Sequence, residues 1–174
     1  IKMLFHPGNG RIWGAQIVGK QGVDKRIEMF SQLILHNGKV EDLCEIEQAY
    51  APPFSSAKDA TNMAGFVAEN LLKGRARLIH WNELDSLDKE HSLLLDVRTA
   101  EEHQNGHIPG SKHLALDELR EHLDELPKDK EIILYCAIGL RGYLAYRILA
   151  QHGFTRIRNL SGGFRTYQMA IKQF

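Results

Sequence analysis

The sequence has few cysteines, no excess of either charge and no long apolar run. Its 174 residues include 22 Lys and Arg, 22 Asp and Glu, and two cysteines. The balanced charge argues against a nucleic-acid-binding protein, and the apolar runs fall far short of the roughly 20 residues that a membrane span needs. Two cysteines exclude the dense disulfide framework of a small secreted domain. We therefore expect a soluble, cytoplasmic protein that binds neither nucleic acid nor membrane.

Two further features are missing, and both concern cofactors. The nine histidines show no zinc-ligand spacing with a cysteine, so we predict no metal site. No Gly-x-Gly-x-x-Gly fingerprint occurs, and the segment GNGRIWG has the wrong spacing between two predicted strands. We therefore expect this chain to bind no FAD or NAD(P)H by itself. Because the chain opens on Ile1 within strand-like residues, we also expect it to be part of a longer protein.

The pattern over residues 1–75 predicts a small α+β unit. Its predicted elements are a hairpin over 2–6 and 11–19, helices over 23–37 and 40–47, and a third helix that ends at Gly74. Paired prolines make AYAPPFSS a loop, and Ser56 to Asp59 has capping-box character ahead of the third helix. Few titratable residues converge in this half, so we interpret its apolar content as core or interface.

The pattern over residues 76–174 changes to alternating strands and helices. The predicted strands are 78–81, 93–98, 131–136 and 155–160, and the predicted helices are 114–126, 142–153 and one from Phe164 onwards. Fully apolar strands between helices indicate a parallel sheet covered by helices on both faces. This half is therefore predicted to be a compact α/β domain.

Cys136 stands where an apolar strand ends and a helix begins. Ligands of such sheets bind beyond the carboxyl ends of the strands. The loop that follows consists of Ala137, Ile138, Gly139, Leu140 and Arg141. Inward-pointing amides, the helix N-terminus and the Arg141 cation would together favour a thiolate and an anion site. A cysteine that packs as a small hydrophobe is the alternative, and the residues alone leave both open; Cys44 has no such context and is predicted to pack.

The segment LLLDVRTAEEHQNGHIPGSKHL resembles the signature of the rhodanese family. The matching residues are Asp96-Val97-Arg98, Glu102 and the run from Gly106 to Gly110. NLSGGFRTY resembles the closing segment of that family, with Tyr167 in place of the usual tryptophan. His103 replaces the usual aromatic residue after the glutamate, and we interpret both departures as packing differences. The resemblance implies an α/β rhodanese-like domain over residues 76–174.

Within this superfamily, sulfurtransferases have a six-residue loop counted from the cysteine, and the related phosphatases have seven. The loop from Cys136 to Arg141 has six residues. The resemblance therefore implies that Cys136 accepts a sulfane sulfur as a persulfide and passes it to a thiol acceptor. The amides of residues 137–141 would stabilise the anionic states, and Arg141 would bind the anionic part of the donor or acceptor.

Three further residues of the signature have two interpretations. Asp96 and Arg98 either take part in the chemistry or hold neighbouring loops together as an ion pair. His107 either contributes to the chemistry or hydrogen-bonds within its turn. The sequence leaves these alternatives open.

The first half resembles the dimerisation domain of flavin-dependent pyridine nucleotide–disulfide oxidoreductases. RIWGAQIVGKQGVDKRI and AYAPPFSSAKDATNMAGFVAEN match the coenzyme A disulfide reductase branch, whose members reduce coenzyme A disulfide, persulfide or polysulfide. The resemblance implies a homodimer and an N-terminal flavin domain outside this chain, with FAD and NAD(P)H bound by the full-length parent and coenzyme A as a further candidate ligand of that parent. Tyr50 would reach the partner subunit's site, or it packs on the prolines.

An alternative function is compatible with the same residues. The rhodanese-like domain would bind coenzyme A-type thiols or anions without turnover, and the chain would act mainly in dimerisation.

Overall fold

The structure is a computed structural model that describes residues 1–171. The chain divides into two compact units, with the division between Arg75 and Ala76. Within the described residues, every helix is too short or too polar to cross a lipid bilayer. The predicted second domain and its last helix extend to residue 174, and residues 172–174 lie outside the described part of the chain.

The first unit combines a two-stranded sheet with three helices. Its elements are β1 (Lys2–Phe5), β2 (Ile12–Gln16), α1 (Val23–Leu35), α2 (Val40–Glu45) and α3 (Ala60–Leu72). The two strands pair antiparallel, which confirms the predicted hairpin. Ile12, Phe30 and Leu43 are buried together and form the core of this unit. The predicted α+β character is confirmed.

The start of α3 differs from the prediction. Its N-cap is Asp59 and not Ser56: the Asp59 carboxylate accepts from Thr61 N, and Asn62 Oδ1 accepts from Asp59 N at 2.9 Å. Arg26 also holds this carboxylate through two hydrogen bonds of 2.6 and 2.7 Å. The prediction was wrong because Asp59, and not Ser56, forms the capping box, with Asn62 three residues later, and has the extended conformation that a cap needs.

The second unit is built on a parallel sheet. Its elements are β3 (Leu78–Ile79), β4 (Ser92–Asp96), α4 (Ala100–Gln104), β5 (Lys112–His113), β6 (Glu131–Tyr135), α5 (Leu140–Gln151), β7 (Ile157–Leu160) and α6 (Gly163–Ile171), with 3-10 helices over Trp81–Ser86 and Leu123–Glu125. The strand order is β3-β7-β6-β4-β5, and every neighbouring pair is parallel. The predicted α/β fold is confirmed, although α4, β5 and the first 3-10 helix were not predicted.

The central strand β6 is buried on both faces. Ile132 and Leu134 point into one apolar cluster with Leu149 of α5, whereas Ile133 and Tyr135 point into a second cluster on the opposite face. Residues of α6 pack against the second cluster. Alternate side chains of one strand therefore reach two cores, which explains why its sequence is continuously apolar.

The predicted helix over residues 114–126 is wrong. The segment forms successive i→i+3 turns, such as Leu119 N to Leu116 O and Leu126 N to Leu123 O, and ends in a short 3-10 helix. Leu119 and Leu126 are nonetheless buried, and Leu116 and Leu123 pack beside them. Leucines three residues apart, Leu116 with Leu119 and Leu123 with Leu126, share one face of a 3-10 turn as well as of an α-helix, so the spacing predicted burial but not the helix type.

Candidate active site

Cys136 is the first residue after β6 and lies at the carboxyl edge of the sheet. Residues 137–139 form a short loop, and α5 begins at Leu140. Gly139 N donates a hydrogen bond to Cys136 Sγ at 3.1 Å, and Gly139 has a φ of 125°, a conformation that favours glycine. Cys136 has no exposed surface and belongs to the same apolar cluster as Leu134. Both alternatives therefore keep support, because the thiol is packed and also accepts a backbone N–H donor.

A cavity of about 240 Å³ opens beside this thiol. It is lined by Cys136, Ala137, Ile138, Leu140, Arg141 and Arg165. Ile138 and Leu140 border it and are 60% and 61% exposed. The cavity thus combines a thiol, an apolar border and two arginines.

The N-terminus of α6 fixes the backbone of the cysteine loop. Phe164 N donates to Cys136 O at 2.8 Å, and Arg165 N donates to Ala137 O at 3.1 Å. Gly163 has a φ of 58°, and a Cβ there would lie 2.4 Å from Cys136 O. Glycine is therefore required for this close approach. No role in holding the loop was predicted for this segment, although its paired glycines were a signal.

Asn159 on β7 holds the cysteine loop through a side-chain hydrogen bond. Its Nδ2 donates to Gly139 O at 3.0 Å, and a Cβ on Gly142 would lie 2.2 Å from its Oδ1. That Oδ1 is buried and has no hydrogen-bond partner among the described residues. The loop carbonyls are thus bound by α6 and β7, which leaves the Gly139 amide directed at the thiol.

Arg141 is held by Glu102 of α4. Its Nη1 and Nη2 donate to the two carboxylate oxygens at 2.6 and 2.7 Å. The hydrogen bonds from Arg141 lower the pKa of Glu102 to about 2, and they raise the pKa of Arg141, to which the nearby Cys136 also contributes. Glu102 also caps α4 together with Thr99. Glu102 belongs to the signature, but no function was predicted for it, so its role in orienting the loop arginine was not foreseen from the sequence.

Asp96 and Arg98 form a buried ion pair. Arg98 donates to Asp96 through Nε at 2.9 Å and Nη2 at 2.6 Å, and its Nη2 also donates to Gly106 O at 2.8 Å. Burial by itself raises the pKa of Asp96, but hydrogen bonds from Arg98 and His103 outweigh burial and lower it. The Arg98 guanidinium lies 4.2 Å from the Phe164 ring centroid. These contacts favour the loop-bracing interpretation, because the pair joins β4, the GHIPG turn and α6.

His103 contacts this ion pair, and His107 contacts His103. His103 Nδ1 is 2.9 Å from Asp96 Oδ2, so its interpretation as a packing difference misses a hydrogen bond to the buried carboxylate. His107 Nδ1 is 3.1 Å from His103 O, and the two rings stack at 4.0 Å. His107 therefore hydrogen-bonds within its turn. Tyr167 packs at 6.5 Å from the ring centroid of Phe164, as expected for a packing substitution.

The remaining predicted residues lie in the first unit. Tyr50 is 52% exposed and lines a cavity of about 460 Å³ with Lys25, Phe54 and other residues of that unit. Its role toward a partner subunit stays a prediction. Cys44 is half-buried, its Sγ donates to Val40 O at 3.5 Å, and burial raises its pKa. Across residues 1–171, no group of three His, Cys, Asp or Glu side chains is arranged to hold a metal ion.

The fold and this site together define a class of protein. A parallel five-stranded sheet carries a cysteine loop at its carboxyl edge, and the family model described as a rhodanese-like domain matches residues 81–170. The chain therefore belongs to the rhodanese-like domain family.

Two solved structures match almost the whole chain. Reduced CoADR-RHD of Bacillus anthracis is 41% identical, with a TM-score of 0.93, and the match covers 98% of this chain and 30% of that one. The NAD-dependent persulfide reductase from A. fulgidus is 38% identical, with a TM-score of 0.80, and the match covers 92% and 28%. The predicted resemblance to part of a coenzyme A disulfide or persulfide reductase is confirmed. The chain spans less than a third of the length of either protein.

A curated relative matches about half of the chain. The sulfurtransferase of Allochromatium vinosum is 38% identical over 89 residues, which cover 47% of this chain and 83% of the relative.

Proposed function

We propose that this chain transfers sulfane sulfur through a persulfide on Cys136. The observation that carries the proposal is the Gly139 N–H donated to Cys136 Sγ beside a cavity that two arginines line. A backbone donor aimed at sulfur stabilises a thiolate or persulfide anion in the way an oxyanion hole stabilises oxygen. The names of the relatives, a sulfurtransferase and a persulfide reductase, support the same chemistry.

The proposed transfer has two steps. The Cys136 thiolate attacks the outer sulfur of a donor such as thiosulfate; the donor's S–S bond breaks, and its electron pair leaves on sulfite. A thiolate acceptor then attacks the outer sulfur of the protonated Cys136 persulfide, which gives the acceptor persulfide and regenerates the Cys136 thiolate. Each step exchanges one S–S bond for another, so no external oxidant or reductant is needed.

The loop length favours sulfur over phosphate as the transferred group. The loop from Cys136 to Arg141 has six residues, and the thiol already takes the amide of the third residue after it. A single added sulfur atom extends from Sγ into the cavity, whereas a tetrahedral phosphate needs more amide donors around it.

The parent protein in this proposal is a flavin- and NAD(P)H-dependent reductase of coenzyme A disulfide, persulfide or polysulfide. The described residues do not fit a dinucleotide, because the glycines at positions 8 and 10 lie in the turn of an antiparallel hairpin and not between a strand and a helix. We therefore assign FAD and NAD(P)H to the part of the parent that lies outside this chain. Fusion to a flavin domain would raise the effective concentration of the persulfide at the reductase site.

The first unit is proposed to dimerise, with Tyr50 directed to the partner subunit's site. Its exposed apolar side chains, Leu4, Trp13, Leu35 and Phe54 among them, support an interface. Sedimentation at increasing concentration tests this part, and a strict monomer at high concentration would contradict it.

The test of sulfur transfer is mass spectrometry of the intact chain after incubation with thiosulfate or polysulfide. We expect one additional sulfur atom on Cys136, and none on the Cys136→Ser variant. The Cys44→Ser variant is the matched control, because it removes the other cysteine and should load sulfur normally. Loading that survives Cys136→Ser would show that the persulfide forms elsewhere.

The complete burial of Cys136 favours a second candidate, a module that binds thiols or anions without turnover. In that case the wild type and Cys136→Ser would bind sulfite or coenzyme A equally, and neither would transfer sulfur.

A further inference from the structure

The positive charge of Arg141 is already balanced in the candidate site. Both of its terminal nitrogens are bound to the Glu102 carboxylate. Arg98, which packs on Phe164 of α6, is buried against Asp96. Neither guanidinium therefore presents an uncompensated charge to a substrate.

Arg165 is the second arginine of the cavity, and its surroundings are different. Its backbone N–H donates to Ala137 O, which fixes the first turn of α6 against the cysteine loop. Its side chain lines the cavity and is exposed. Within residues 1–171, no carboxylate is paired with its guanidinium and no side-chain hydrogen bond occupies it.

The position of Arg165 suits an anionic substrate group. A donor whose sulfane sulfur reaches Cys136 Sγ must place the rest of its atoms in the cavity, between the apolar border of Ile138 and Leu140 and the Arg165 side chain. A guanidinium presents a planar set of donors that matches sulfonate and carboxylate oxygens. Glu102 balances the charge of Arg141, so the positive charge that remains available in this cavity is the one on Arg165.

We propose that Arg165 binds the negatively charged group of the sulfur substrate, and that the site therefore selects compact anionic sulfane-sulfur donors and anionic thiol acceptors. This inference rests on the proposed function. Arg141 acts instead as a positioning residue, held by Glu102 beside the thiol. For thiosulfate, Arg165 holds the sulfonate while the Cys136 thiolate attacks the outer sulfur, and the electron pair of the broken S–S bond leaves on the sulfite that Arg165 retains.

The test is a charge series of thiol acceptors of similar size, applied to the persulfide form of the chain. The acceptors are 3-mercaptopropionate, which is anionic, 2-mercaptoethanol, which is neutral, and cysteamine, which is cationic. We compare the wild type with Arg165→Gln and Arg165→Lys, and use Arg120→Gln as the matched control. Arg120 is an exposed arginine of the same unit that does not line the cavity.

The expected result is a loss that depends on acceptor charge. Arg165→Gln lowers the second-order rate constant for 3-mercaptopropionate about 10-fold, as for loss of a hydrogen bond to a charged group. Arg165→Gln changes the second-order rate constant for 2-mercaptoethanol less than about 2-fold and does not lower the rate constant for cysteamine, since neither acceptor carries an anionic group that binds the Arg165 guanidinium. Arg165→Lys recovers part of the loss, and Arg120→Gln changes none of the three. If the ratio of the Arg165→Gln rate constant to the wild-type rate constant is the same for all three acceptors, the proposal is overturned.

A binding measurement separates this inference from the proposed function. Calorimetric titration of sulfite into Cys136→Ser, with and without Arg165→Gln, measures the anion site without sulfur transfer. About 10-fold weaker binding upon loss of Arg165 supports the site even if Cys136 never forms a persulfide. Unchanged sulfite binding would refute the role of Arg165 even if sulfur transfer is demonstrated.

Discussion

Replacing Gly163 by alanine tests whether α6 supports the cysteine loop. Gly163 has a φ of 58°, and a Cβ on it would lie 2.4 Å from Cys136 O and 2.8 Å from Ile138 N. These are backbone atoms of the loop, so no side-chain rotation can relieve the contact. Either α6 or the loop must move, and the hydrogen bonds from Phe164 N and Arg165 N to the loop carbonyls would lengthen.

The cost of Gly163→Ala has three parts. A left-handed conformation costs alanine about 1–2 kcal/mol, and overpacking a well-packed site costs about 1–3 kcal/mol. Weakening two backbone hydrogen bonds adds about 1 kcal/mol. We expect a total loss of about 3–6 kcal/mol in the free energy of unfolding.

The matched control is Gly153→Ala. Gly153 has a φ of 84°, but a Cβ there would meet no atom within 4 Å. This variant carries only the conformational strain and should lose about 1–2 kcal/mol. Urea unfolding measures both losses, and the rate of sulfur loading from thiosulfate, measured where each variant is folded, reports on the loop.

The expected result is that Gly163→Ala is the less stable variant and loads sulfur at least about 10-fold more slowly than Gly153→Ala, because a misplaced donor loses its stabilisation of the anion. Equal stabilities and equal loading rates for the two variants would refute the inference that α6 holds the loop in place.

Three further predictions concern two ion pairs and one helix cap. The Glu102–Arg141 pair stabilises the fold fully above the ordinary pKa of glutamate, 4.5, and this stability is lost as pH falls through about 2. The melting temperature of Glu102→Gln should therefore lie below that of the wild type near pH 7, and the difference between the two melting temperatures should become smaller toward about pH 3. A difference that does not change with pH would contradict this pairing. Asp96→Asn leaves the buried Arg98 without its counter-ion and should cost about 3–5 kcal/mol in urea unfolding, and Asp96→Asn combined with Arg98→Met should recover part of that loss if the unpaired charge is its cause. Asp59→Ala should destabilise the first unit by about 1 kcal/mol more than Asp59→Asn, because asparagine retains the N-cap acceptor of α3, and equal urea midpoints for the two variants would disprove the cap.

The elements that the sequence predicted correctly are those with strong local patterns. The buried strands around Leu94 and Ile133 are continuous apolar runs, and the hairpin and α1 follow from turn formers and helical spacing. The predicted helix over residues 114–126 was wrong because leucine pairs three residues apart suit both a 3-10 turn and an α-helix. The predicted cap at Ser56 was wrong because Asp59 forms the capping box with Asn62, three residues later, and is also held by Arg26, 33 positions earlier in the chain.

The site could be predicted only in its local part. Cys136, the glycine of its loop and the six-residue count are contiguous, and they placed the thiol at the end of a strand. Glu102 lies 39 positions before Arg141, and its partner could not be identified before α4 and α5 were placed beside each other. His103, treated as a packing substitution, proved to bind the buried Asp96.

The sequence by itself determined the fold class, the rhodanese-like family and the position of Cys136, because these depend on periodicity and on contiguous motifs. Only the tertiary structure decided which charges remain open to a substrate. Whether an arginine is available depends on carboxylates that approach from other elements: Glu102 neutralises Arg141, while Arg165 faces the cavity without a paired carboxylate among residues 1–171. The tertiary structure also decided how the loop is held. Backbone amides of α6 donate to the carbonyls of Cys136 and Ala137, and only a glycine at position 163 permits this close approach.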